Sequence, residues 1–136
     1  MKAQFGMILL AAGMSMAAAP ALAEVAVIVN PKNPATRMLN DQAAQFFIGK
    51  SAMFTPVEQA EGSAIRKEFY AKVLDKDAAQ VKAIWSKLVF TGKGTAPKEY
   101  ASAAEVKKAV AADVKAIGYI DKSQVDDTVK AVLTVQ

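Results

Sequence analysis

Five consecutive apolar residues, Val25-Ala26-Val27-Ile28-Val29, are halted by Asn30-Pro31. A half-exposed strand alternates apolar with polar side chains, so an unbroken run rich in β-branched residues must be covered on both faces. The run therefore reads as a strand in a sheet sandwiched by helices, as in parallel sheets. Asn30 to Pro34, with prolines at both Pro31 and Pro34, reads as the loop at its carboxyl end. A chain built around such a strand is confined to the layered α/β architectures.

Periodicity downstream agrees. A helix is predicted from about Asn40 to Ile48, stopped by Gly49, with Ala43, Phe46 and Phe47 on its core face. Thr55-Pro56-Val57 reads as a short edge strand, because proline removes a ladder donor. From Ser63 the spacing becomes helical again, with Ile65, Phe69 and Val73 four residues apart. Asp77 and Gln80 form a capping box ahead of the stripe Val81, Ile84, Trp85 and Leu88, where Trp85 is expected in the core. Leu88 to Phe90 either closes that helix or begins a strand. Ser102 and Glu105 cap a further helix with Val106, Ala109 and Val110 inward. Ala116 to Ile120 and Ala131 to Val135 read as strands, joined through a turn or single helical turn at Ser123 to Val125.

The first residues belong to a different pattern. Lys2 is a positive n-region, Met7 to Ala12 an apolar h-region, and Ala21-Leu22-Ala23 a small-x-small cleavage site before Glu24, with Pro20 ending the h-region helix. Residues 1–23 read as a cleaved secretory signal and residues 24–136 as one domain. An uncleaved anchor competes, since Phe5 to Ala23 is uncharged, but its Ala and Gly content makes it a poor span. No later segment is apolar for long enough to cross a membrane. Export out of the cytoplasm is therefore expected.

Composition removes much chemistry. The 136 residues include no Cys and no His, which excludes disulfides, thiolate nucleophiles, imidazole acid-base catalysis and the commonest zinc ligands. The net charge of +4 is scattered among acidic groups rather than gathered into a patch, so nucleic acid is not expected as a partner. Asp126-Asp127 are adjacent and tend to point apart, and Asp75 with Asp77 flanks a helix start, so neither makes an acid-base pair or a calcium loop. Ser63 has no histidine to activate it, and Arg66 stands where a Ser-x-x-Lys pair would need lysine. A non-enzyme without metal or cofactor is expected.

Two segments could hold an anion. Glu61-Gly62-Ser63 precedes the Ile65 helix: Gly62 permits an unusual turn, Ser63 can be the N-cap, and free N–H groups around Ala64 and Ile65 sit at the positive end of the dipole. Arg66 and Lys67 would add charge-assisted contacts. The plainer reading is that Ser63 only caps the helix. Gly92-Lys93-Gly94-Thr95 is the second candidate, where glycines let N–H groups converge while Lys93 and Thr95 add a charge and a hydroxyl. It lacks P-loop spacing, and a plain exposed turn is the alternative.

Taken in order, Val25-Ala-Val-Ile-Val-Asn-Pro-Lys-Asn-Pro34, Phe46-Phe47-Ile48-Gly49-Lys50, Gln59-Ala-Glu-Gly-Ser63 with Phe69, Phe90-Thr-Gly-Lys-Gly94 and Ala116-Ile-Gly-Tyr-Ile120 resemble the phosphate-binding periplasmic proteins of ABC transporters. More closely, they resemble the short single-domain exported relatives described as phosphate transporter substrate-binding-like proteins, of the type 2 periplasmic binding protein superfamily. The resemblance implies a single periplasmic-binding-protein-like α/β domain, with a mostly parallel or mixed sheet and helices packed on its faces. It also implies a non-catalytic module for phosphate or a related oxyanion. The family's Arg-x-Asp/Glu-Gly-Ser-Gly-Thr segment maps its acid onto Glu61, its glycine onto Gly62 and its first hydroxyl onto Ser63. Gln59 stands in place of the arginine, Ala64 of the second glycine and Ile65 of the threonine. The alternative is a ligand-free scaffold with a protein partner in the cell envelope.

Overall fold

The computed structural model describes residues 24–136; the cleaved signal expected at residues 1–23 lies outside the described residues. Five strands, β1 (Val25–Val29), β2 (Thr55–Gln59), β3 (Lys98–Tyr100), β4 (Ala116–Asp121) and β5 (Lys130–Val135), form one sheet in the order β3-β2-β4-β1-β5. β2 runs parallel to both β3 and β4, whereas β1 runs antiparallel to β4 and to β5. The sheet is therefore mixed. The run at β1 is central and buried on both faces, as its composition requires, but both its neighbours are antiparallel. Burial on two faces constrains what covers a strand and not the direction of the strands beside it.

The side chains of β1 sort by parity. Val25, Val27 and Val29 join Ile117 and Tyr119 under α1 (Asn40–Phe47), α2 (Ala64–Phe69) and the π-helical turn Tyr70–Leu74 that continues α2. Ala26 and Ile28 join Ala116 and Ile120 under α4 (Ala103–Ala112), through Val106 and Val110. Asn30 is buried where β1 ends, and its side-chain amide donates to the carbonyls of Val110 and Ala111 at 3.1 and 2.9 Å. The residue that stops the strand thus also satisfies the last carbonyls of α4.

Proline does not place β2 at an edge: the strand lies inside the sheet. β3 pairs with it only from Val57 to Gln59, so Pro56 lies beyond that ladder and its missing donor costs nothing there. Leu88 to Phe90 closes α3 (Ala78–Phe90), whose capping box forms as expected, with the Gln80 N–H donating to Asp77 at 2.8 Å and the Asp77 N–H to the Gln80 side chain at 2.9 Å. Its apolar stripe is only lightly covered. Val81 is buried, while Trp85 is half-buried against the core and donates its ring N–H to the Phe47 carbonyl at 2.9 Å. Val89 and Phe90 face outward, Phe90 at 91% exposure. Ser123 lies in a single 3-10 turn at Lys122–Gln124.

Gly118 in β4 is required by close approach. A Cβ there would sit 3.0 Å from methyl carbons of Val106 and Val57 and 3.3 Å from one of Val110. Gly118→Ala is expected to cost about 1–3 kcal/mol by overpacking, read as a lowered midpoint in thermal unfolding. An unchanged midpoint would mean that α4 moves away freely.

Candidate functional site

The site forms where β2 ends and α2 begins. Gly62 takes φ of +84°, a left-handed turn, and a Cβ there would meet nothing within 4 Å, so the backbone angle alone calls for glycine. Ser63 caps α2: its Oγ accepts from the Arg66 N–H at 3.4 Å and donates to the Gln59 side chain at 3.2 Å, while its own N–H donates to the Ala60 carbonyl at 3.2 Å. Both Ser63 donors are thus used internally. The N–H groups of Ala64 and Ile65 remain without a partner among the described residues. The Ile65 side chain points into the core and not toward a ligand.

A cleft of about 870 Å³ opens over this turn, lined by Glu61 to Ala64, Arg66 and Lys67 on one side and Lys76 to Ala79 with Lys82 on the other. The starts of α2 and α3 face the same space, so two positive dipole ends converge there. None of Lys67, Lys76 and Lys82 enters an ion pair among the described residues. Glu61 and Asp77 are the acidic groups of the wall, and Asp77 is already engaged as the α3 cap.

Behind the cleft lies a polar cluster without counterpart in the sequence reading. Glu58 is 3% exposed, and its carboxylate accepts from the hydroxyls of Tyr70 and Tyr119, the latter at 3.1 Å. The Gln59 N–H donates to the Tyr119 hydroxyl at 3.4 Å. Arg66 donates to the Gln59 carbonyl at 2.8 Å and to the Glu99 carboxylate at 2.6 Å, lies 3.8 Å from Glu58, and covers the Tyr70 ring at 5.2 Å. Burial pushes the Glu58 carboxyl above its ordinary range, against the opposing pull of the Tyr70 hydroxyl and Arg66. Burial and the nearby Glu58 also raise both tyrosines, which keeps their hydroxyls protonated as donors. Burial alone would lower Arg66, yet the hydrogen bond to Glu99 and the field of Glu58 hold it firmly charged.

A second, shallower cleft of about 490 Å³ shares Glu61, Arg66, Tyr70 and Lys82 with the first and continues past Trp85 to Phe90 and Glu99. The Gly92-Lys93-Gly94-Thr95 turn lines neither cleft. The Gly92 and Lys93 N–H groups donate to the Val89 and Leu88 carbonyls, closing the negative end of α3, and Gly94 lies against Trp85. A helix C-terminus with its donors already used disfavours an anion. Asp126 is likewise committed, to Lys107 at 2.8 Å and to Thr128. Among the described residues no group of three or more acidic side chains could hold a metal, and no helix is long and apolar enough to cross a membrane.

Solved structures share this architecture. One is described as a phosphate ABC transporter substrate-binding protein from Clostridium perfringens with bound phosphate, at 24% identity and a TM-score of 0.64. The chain shares the fold of one part of this phosphate-transport protein. An ABC-type phosphate transport receptor from Vibrio cholerae follows at 20% and 0.59, and PstS from Borrelia burgdorferi at 14% and 0.58. Each match covers 81% of this chain but only 45–47% of the neighbour, so the chain spans about half the length of these proteins. At such identities the likeness establishes the fold alone. No protein-family model matches the chain, and no curated protein sequence does.

Proposed function

We propose that residues 24–136 form an exported, non-catalytic binding module for phosphate or a related small oxyanion, acting in the periplasm after removal of residues 1–23. The observation that carries this reading is the convergence on one cleft of two helix starts and three lysines that enter no ion pair among the described residues. The Ala64 N–H group, beside Gly62 and Ser63, would meet the anion, with Lys67, Lys76 and Lys82 supplying charge; Ile65, which does not line the cleft, serves the core. The fold shared with phosphate-transport proteins supports the same ligand class. The cleft is open and solvated, so the expected dissociation constant is about millimolar, near −4 kcal/mol.

Calorimetric titration with phosphate, sulfate and acetate tests this. Heat is expected with the first two, weakened at least about tenfold by Lys67→Glu combined with Lys76→Glu. Absence of heat at about 10 mM phosphate would reject the reading.

The engagement of Arg66 by Glu58 and Glu99 favours a second reading, in which the fold persists as a ligand-free scaffold for an envelope protein. An arginine satisfied by its own chain needs no ligand. The same titration separates the two readings, and intact mass of envelope-recovered protein tests for a chain beginning at Glu24.

A further inference from the structure

The three groups that hold Arg66 differ in how readily they can be displaced. The Gln59 carbonyl belongs to β2. Glu58 is almost fully buried and fixed by two tyrosine hydroxyls, so its departure would strand a charge and two donors. Glu99 is different. It lies on β3, a three-residue strand at the sheet edge, and its side chain is 45% exposed. Arg66 itself stands in the wall common to both clefts, so a ligand in the first and Glu99 in the second approach the same guanidinium.

We infer that the Glu99 carboxylate is a built-in competitor of the oxyanion, holding Arg66 until an incoming anion displaces it, and so sets the affinity of the cleft. The inference rests on the oxyanion reading of that cleft. Geometry supports displacement of Glu99 in particular. Its release places a carboxylate in water, where its desolvation cost vanishes, while Arg66 keeps Glu58, the Gln59 carbonyl and the Tyr70 ring, and the one Nη1 hydrogen that Glu99 held becomes available to the ligand. The lysines of the first cleft supply encounter charge, whereas the half-buried guanidinium would contribute a directed, charge-assisted bond.

The test is phosphate titration of wild type, Glu99→Gln, Glu99→Ala, Arg66→Gln and the double variant Glu99→Gln with Arg66→Gln. Both single variants are expected to bind phosphate about fivefold more tightly than wild type, the worth of a strong half-exposed pair. In the Arg66→Gln background the same Glu99→Gln change should give no gain. A gain that persists there would show a general charge effect and overturn the inference. Wild-type binding with unchanged affinity in Glu99→Gln also overturns it and leaves the oxyanion reading standing. Binding by Glu99→Gln but not by wild type supports the competitor and rejects phosphate as a ligand of the native chain. Silence from all variants rejects both.

Discussion

Arg66→Gln is expected to lower the unfolding free energy by about 3 kcal/mol at pH 7, because it leaves the Glu58 carboxylate buried without a cation. The loss should shrink in acid. Burial already holds the folded Glu58 pKa above its ordinary 4.5, so folding takes up a proton there. The corresponding stability is fully present below 4.5 and is lost as pH rises through the folded value. Without Arg66 that folded value moves higher, so the fall with pH becomes larger and reaches further toward neutrality. Urea unfolding at pH 5 and pH 7 reads both effects. Adding Glu58→Gln should recover most of the loss at pH 7, since an amide keeps the two tyrosine contacts without the charge. A loss below about 1 kcal/mol, or one equal at the two pH values, would mean that water reaches Glu58.

Phe69→Ala should cost a comparable amount by a different mechanism. Phe69 is fully buried, stacks on Tyr119 with ring centroids 4.0 Å apart, and meets Phe47 edge-on at 4.7 Å. Truncation opens a cavity where α1, α2 and β4 meet, at an expected cost of about 3–5 kcal/mol with little change in the urea m-value. Phe90→Ala, at the exposed end of α3, should change stability by less than about 0.5 kcal/mol and serves as the control. Equal effects would reverse the assignment of core and surface aromatics.

The α/β class, the helix at Asn40, the box at Asp77 and the strands at Ala116 and Ala131 are legible because local spacing causes each of them. Strand direction is not local. Nothing within Val25 to Val29 records that β4 and β5 approach it head to tail. β3 is illegible in the sequence because Lys98-Glu99-Tyr100 carries no apolar alternation; its pairing to β2 defines it as a strand. The Glu61-Gly62-Ser63 turn was visible through its glycine and cap. Glu58, Tyr70, Glu99 and Tyr119 were not, because their association is made across β2, α2, β3 and β4. One signal was available: Glu58 follows Val57 inside a strand, and a carboxylate in a covered sheet needs partners. The engagement of Arg66 is hidden for the same reason, since its acidic partners Glu58 and Glu99 lie on other elements.

The position of β1 bears on when the sheet can assemble. The first strand of the domain pairs only with residues 117–121 and 130–135, near the far end of the chain. Its closure is a long-range event that must meet the entropy of a large loop before any ladder bond rewards it, which makes for slow folding. While the chain emerges from its amino end, Val-Ala-Val-Ile-Val has neither native edge available and is a short, uncharged, strongly β-forming segment prone to pairing with other chains. The β1 ladders therefore close only once β4 and β5 are present, and until then β1 depends on remaining dilute or shielded.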